Sequence, residues 1–345
     1  MPHRRTTAAL TLAATVMICA GHAASAAPAK GDPLLPRQWG MAQVQAQQAW
    51  KVATGKGVVV AVVDGGVDAT NPDLRGHVLP GKDLVHGTKN AWTDVDGHGT
   101  SVAGIIAGTR DNGVGIAGVA PNARILPVKD GEYQPDASLT PKGVVWAADR
   151  GAKVILISTE TLAGVDAVSP ALLADEIRRA IEHAWAKGAV IVVAAGNNSE
   201  PICSSPASLP RVVCVGAVDK RALKPAFSSY DAAMSTDYLV APGGSDLPIG
   251  FDNPTGVGND ENIWTTTVVG VGTTPTQERW TQVRGTSFAA PFVAGVAALL
   301  VQQGLTNAQI VERLTSTATD LGVPGRDPVY GYGEVNAARA VGATR

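Results

Sequence analysis

Four stretches of the chain are apolar almost without interruption: residues 58–63, 154–157, 189–195 and 212–218, each rich in valine and isoleucine. A strand with one wet face alternates apolar and polar residues. These runs do not alternate, so they predict strands covered on both faces, as in a parallel sheet. Between them, residues 140–151 and 170–188 have helical periodicity, the second placing Leu172, Leu173, Ile177, Ile181 and Trp185 on one stripe ahead of Gly188. Residues 288–301 read as one apolar helix, with Thr286 or Ser287 as its cap and Pro291 in its first turn. Strands alternating with helices predict an α/β fold in which helices cover both faces of a mainly parallel central sheet. Ligands in such folds collect beyond the carboxyl ends of the strands, and Asp64, Ser158 and Asn197 fall there.

Composition sets the frame. The 345 residues are 45% hydrophobic with a net charge of −2, enough for one large domain with a full core and without the basic excess of a nucleic-acid partner. No internal repeat or low-complexity tract marks a second domain. Residues 1–26 have the plan of a secretory signal: His3, Arg4 and Arg5 are the charged start, residues 8–20 the apolar stretch, and Ala24-Ser25-Ala26 the small-residue cleavage site. The apolar run is shorter than the ~20 residues a membrane span needs. Residues 27–345 are therefore expected as a secreted, extracellular and monomeric domain with no membrane anchor after signal removal. Loss of Cys19 with the signal leaves Cys203 and Cys214. An even pair in an exported protein points to a disulfide, two buried thiols being the alternative.

Candidate chemistry comes from three segments. Asp64 ends an apolar strand and is followed by Gly65-Gly66. His98 lies between Gly97 and Gly99 at the head of a small-residue helix, and Ser287 follows Gly285-Thr286 where the last apolar helix begins. Taken singly these are a turn carboxylate, a helix cap and a capped helix. Together, in the order Asp, His, Ser, they are the parts of an acyl-transfer triad in the subtilisin order. The chain resembles the subtilisin-like serine peptidases, or subtilases, in all three segments and in Ala194-Ala195-Gly196-Asn197, from about Gln38 to Ala337. The resemblance implies a three-layer subtilisin-like fold and a serine endopeptidase acting on peptide or protein substrates with no cofactor for the chemistry. It gives Asp64, His98 and Ser287 the triad roles and Asn197 that of oxyanion donor. Ser158, Thr159, Glu160, Ala195 and Gly196 become the substrate-lining residues, with Ser204 at the base of the pocket.

Several positions depart from the family pattern. Ser158-Thr159-Glu160 stands where relatives usually carry a serine, a larger apolar residue and glycine; a pocket-facing Glu160 would favour Arg or Lys before the scissile bond, and a solvent-facing one would not. Gly65 replaces a hydroxyl residue that would bond the Asp64 carboxylate. Only about residues 27–37 precede the mature-like start, too few for a folded propeptide. Asp73 and Asn112 match structural calcium ligands of some relatives, but a shortened loop and Leu34-Leu35 remove others, so no metal is assigned. Residues 243–280 read as an insertion containing a hairpin of residues 263–271 and 280–283, either a rim of the cleft, an interaction surface or a solvent-facing decoration. Besides a general secreted endopeptidase, two readings remain: a processing peptidase of a secretion system, similar to the mycosin-like branch in its short N-terminal extension and cysteine pair, and a silent subtilase-fold binding protein. The intact triad argues against the last.

Overall fold

The computed structural model describes residues 1, 31–158, 170–246, 260–269 and 279–343. The signal segment, Thr159 and Glu160 lie outside the described residues. The Val/Ile runs become the middle of a seven-stranded sheet, β1 Val59–Asp64, β2 Lys82–Asp83, β3 Arg124–Lys129, β4 Val154–Ile157, β5 Val190–Ala194, β6 Val212–Val218 and β7 Asp237–Pro242. Its order is β2-β3-β1-β4-β5-β6-β7, with every neighbouring pair parallel. A separate antiparallel pair, β8 Ile263–Thr266 and β9 Trp280–Val283, is the anticipated hairpin with a shorter first strand.

Among the described residues there are also eight α-helices, α1 Trp39–Gln43, α2 Ala46–Ala49, α3 His98–Ala107, α4 Thr140–Asp149, α5 Pro170–Ala186, α6 Thr286–Gln302, α7 Asn307–Ser316 and α8 Ala337–Val341. The period of two sorts each strand between two cores. Val60 and Val62 pack with α3 and α6 on one face, whereas Ala61 and Val63 pack with α4 and α5 on the other. The α6 segment from Phe288 to Leu300 is buried on all sides, which explains its lack of a polar stripe. On α5 the buried stripe is Leu173, Ile177, Ala180, Ile181 and Ala184, with Trp185 half-buried. Leu172 is 61% exposed, because its position is about 140° round the helix from Ile177 at 100° per residue.

Order β1-β4-β5 puts the carboxyl ends of three adjacent strands in a row, and Asp64, Ser158 and Asn197 occur at or just beyond them. The far edge is closed differently. Residues 332–335 run beside β7, with Tyr332 N donating to Tyr238 O, Val240 N to Gly333 O and Val335 N to Val240 O. Covering an edge in this way satisfies a row of backbone groups that would otherwise invite another strand. Glu334 is carried inward by this arrangement. It is 4% exposed and accepts a hydrogen bond from Gln43 Nε2 at 2.7 Å. Burial pushes its carboxyl up to about 7, against the pull of Gln43.

That raised value makes stability pH-dependent with a definite sign. Between the ordinary glutamate range near 4.3 and about 7, the folded protein holds a proton that the unfolded chain releases, so stability falls as pH rises through this window. Glu334→Gln keeps the acceptor for Gln43 and removes the titration. Urea denaturation should find the variant more stable than the parent by roughly 1–3 kcal/mol at pH 8 and nearly equal to it at pH 4.

Candidate active site

Asp64 is the last residue of β1, and only 2% of its surface is exposed. Its Oδ1 accepts from Gly65 N at 2.7 Å, so the backbone supplies one hydrogen bond even though the side-chain hydroxyl of relatives is missing. His98 Nδ1 lies 3.0 and 2.9 Å from the two carboxylate oxygens. The first residue of α3 must therefore press against the end of β1. A Cβ at position 99 would lie 2.1 Å from Gly66 O and 3.1 Å from Asp64 Oδ1, so only glycine allows this approach.

Two carboxylates serve the free N–H groups of the first turn of α3. Asp94 accepts from Gly97 N, Thr100 N and Thr100 Oγ1, and Asp96 accepts from His98 N. These acids complement the positive end of the helix. Burial pulls the His98 imidazole down, but the Asp64 charge and hydrogen bond, with Asp96 and Asp94, outweigh it and raise the group to about 9. For Asp94 burial dominates and pushes the carboxyl up to about 7. The hairpin clamps the same helix from outside. Ser101 Oγ donates to Thr266 O, while Thr265 Oγ1 and Thr266 Oγ1 donate to the carbonyls of Ser101 and Thr100. The described hairpin strands are thus built into the support of His98 and are not a solvent-facing decoration.

Ser287 is the second residue of α6, whose N-cap is Gly285 with no side-chain cap. Thr286 does not cap the helix as anticipated. Its Oγ1 accepts from Gly196 N, and its N–H and hydroxyl lie 2.9 and 3.2 Å from Asn197 Oδ1. Because Asn197 uses its oxygen here, Nδ2 becomes the donor end of the amide. Pro291 sits in the second turn, later than the sequence suggested, and its missing N–H would have bonded the carbonyl four residues earlier, which is Ser287 O. Ser158 Oγ supplies that bond at 2.6 Å. The Ser158 hydroxyl therefore anchors the turn that presents Ser287.

Asp64, His98, Ser158, Asn197 and Ser287 line one cavity of about 370 Å³, a size suited to a ligand site. Ser287 Oγ makes no hydrogen bond to His98 among the described residues; such bonds often tighten only around substrate. The ring of Phe288 lies 5.2 Å from that of His98. Ala195 and Gly196 are not among the lining residues; Ala195 bonds Val215 and Ser204 through its backbone, and Gly196 bonds Thr286 and Ser229. A disulfide joins Cys203 to Cys214 on β6, with Cα atoms 6.5 Å apart, and ties the segment beyond Asn197 to the sheet. Ser204 lines a neighbouring cavity with Asn198. The sequence reading missed Asp94, Asp96 and the wall formed by residues 130–135. Asp130 directly follows β3, the same strand-end position that singled out Asp64.

The candidate calcium ligands do not fit a cation. Asp73 Oδ1 accepts from Asn112 Nδ2, and Oδ2 accepts from Ile116 N and from the Trp280 indole at 2.6 Å. Donor hydrogens, which a cation would repel, already face both oxygens of this buried carboxyl. Asn112 Oδ1 is in turn committed to Val114 N.

Residues 55–333 match the model of the subtilase family, Peptidase S8. A thermophilic serine proteinase of Bacillus sp. (strain AK1) is 36% identical over 307 residues, covering 88% of this chain and 67% of that one. Thermitase of Thermoactinomyces vulgaris is 34% identical over 307 residues, covering 88% of this chain and 96% of that one. Among solved structures, a protease of Pseudoalteromonas arctica PAMC 21717 superimposes with a TM-score of 0.77 at 30% identity, over 91% of this chain and 99% of that one.

The pairing of Ser158 with Pro291 can be tested as a cycle. Ser158→Ala leaves Ser287 O without its donor and should cost about 1–3 kcal/mol of stability. Adding Pro291→Ala returns an N–H within reach of the same carbonyl, so the double variant should recover much of that loss. Additive effects in chemical denaturation would show that the two residues do not serve one carbonyl.

Proposed function

Because the chain belongs to the subtilase family and is a serine-type endopeptidase, we propose that Ser287, His98 and Asp64 form its catalytic triad, with Asn197 as oxyanion donor. Ser287 Oγ attacks the scissile carbonyl while His98 Nε2 takes its proton. His98 then protonates the leaving amine, and water hydrolyses the acyl-enzyme by the reverse sequence of proton transfers. Asp64 bonded to Nδ1 holds the imidazole in the useful tautomer and stabilises the imidazolium. Asn197 Nδ2 and the Ser287 backbone N–H receive the oxyanion. The observation that carries this reading is the convergence of a buried carboxylate, an imidazole bonded to it, a serine at a helix start and an oriented amide on one cavity.

Residues 1–26 act as an export signal, and residues 27–345 are the secreted, monomeric peptidase. Ser158, Thr159 and Glu160 frame the substrate, with Ala195 and Gly196 behind the cavity wall and Glu160 the residue of this set that would favour a basic side chain before the scissile bond. Among the described residues no helix is long and apolar enough to cross a membrane.

Ser287→Ala should cut kcat/KM on a fluorogenic peptide by roughly 10⁴- to 10⁶-fold with the fold intact, and adding His98→Ala should cost little more, since triad members act as a unit. Asn197→Ala should lose about 100- to 1,000-fold in kcat. These magnitudes were measured in subtilisin, a relative, and are carried over. Labelling by a fluorophosphonate should be present in the parent and absent in Ser287→Ala. Retained hydrolysis in Ser287→Ala would remove it from the triad.

The acids around His98 set a second expectation. A general base must be neutral, so kcat/KM should rise with pH, with its midpoint displaced from the ordinary imidazole value near 6.5 towards about 9. The profile of kcat/KM between pH 5 and 10 checks this; a midpoint at or below 6.5 would contradict it.

A further inference from the structure

Residues 131–135 form a loop that lines the same cavity as His98 and Ser287. The base of the loop is closed by its own backbone: Gly131 bridges Pro135, and Asp136 N donates to Asp130 O at 2.8 Å. Its tip is held differently. Tyr133 is 67% exposed, and among the described residues the hydrogen bonds and ion pairs that join residues 132–134 to the rest of the protein all belong to the Glu132 carboxylate. Its Oε2 receives Lys129 Nζ at 2.9 Å, and its Oε1 faces His86 Nε2 at 3.4 Å. The two anchors are unequal. The His86 side chain is 56% exposed, and exposed pairs contribute little. Lys129 is buried at the end of β3, beside Asp64 in the sheet, so its ammonium depends on the partners the protein supplies. The same ammonium donates to Thr93 O at 3.2 Å, next to Asp94 in the segment that serves the first turn of α3.

We propose that Lys129 is a positioning residue, whose buried ammonium holds the cleft wall, through Glu132, where an extended peptide substrate lies against it. This rests on the reading of the cavity as the endopeptidase active site. A buried cation keeps its anion close, because separating the pair leaves a charge without solvent or counter-charge. Lys129 therefore fixes Glu132, and with the base already closed the loop is held at base and tip. Through Thr93 O the same ammonium joins this wall to the segment that supports His98. Neither bond reaches Ser287, so losing the ammonium loosens the grip on substrate more than it disturbs the reacting atoms. Contacts away from the scissile bond serve the bound substrate and its transition state alike, and their loss appears in KM more than in kcat.

The test compares the full-length parent with Lys129→Met, which keeps the aliphatic stem, on a quenched fluorescent octapeptide and on a single-residue ester too short to lie along the wall. The ratio of kcat/KM for the octapeptide to that for the ester should fall about 10- to 100-fold in the variant, chiefly through KM. Glu132→Ala should lower the ratio similarly, and the double variant should be no worse than the poorer single, because the two residues act through one contact. An unchanged ratio in Lys129→Met overturns the proposal, whether rates are preserved or both substrates slow together. So does additivity in the double variant, or a fall in Glu132→Ala alone, which would make Glu132 a direct substrate contact. Lys129→Gln serves the same comparison if the methionine variant does not fold. If neither folds, hydrogen exchange of residues 131–135 in Glu132→Ala decides: faster exchange than in the parent is expected, and parent-like exchange contradicts the clamp. Fluorophosphonate labelling of the parent separates the two failures: labelling and peptide cleavage with an unmoved ratio sink only the role of Lys129, whereas absence of both sinks the reading of the cavity itself.

Discussion

The contact between His98 Nδ1 and the Asp64 carboxylate constrains everything around it. A helix start and a strand end are both crowded with backbone, and 2.9 Å between their side chains leaves no room for Cβ atoms where the backbones meet. Gly99 yields to Gly66 O, and Gly66, itself at φ 110°, yields to Thr93 O. Bare where its first turn meets β1, α3 is also held from the other side, where Gly104 admits the Thr265 and Thr266 hydroxyls. The hairpin, the glycines and the helix form one clamp on an imidazole.

Charge follows from the same geometry. Bringing His98 to Asp64 also brings the acids that satisfy the first turn of α3, so the imidazole faces Asp64, Asp94 and Asp96 together. Their combined field favours the imidazolium, the state reached after proton abstraction, and makes the resting base harder to deprotonate at neutral pH. Asp94, pushed up by burial, limits how much of that negative charge is present until the solution passes about neutral pH.

Most of the site could be read from the chain because each of its parts sits at a change of pattern. Asp64 stops an apolar run, His98 and Ser287 start helices from glycines, and Asn197 follows a buried strand. Elements whose pattern is interrupted stayed hidden: β3 carries Arg124, Pro127 and Lys129 in six residues, and β7 begins with Asp237 and ends with Pro242. Their strand character comes from pairing with β1 and β6 and not from local apolarity. Pro291 misplaced the start of α6 for a similar reason. A proline normally marks the first turn, but here a hydroxyl from another strand's end answers the carbonyl it frees. Asp130 carried the strand-end signal of Asp64 but followed a strand whose run was broken.

The edge of β7 has a consequence for how the chain is made. Its covering residues lie far downstream in sequence, so during synthesis the strand is complete long before residues 332–335 exist to pair with it. Val44 O, which receives Ala337 N, waits for the same late stretch. A nascent or locally frayed chain therefore exposes a row of unpaired amides and carbonyls beside a largely buried strand, the template on which a second chain can add. Aggregation, more than loss of the catalytic geometry, is the hazard that this closing segment holds off.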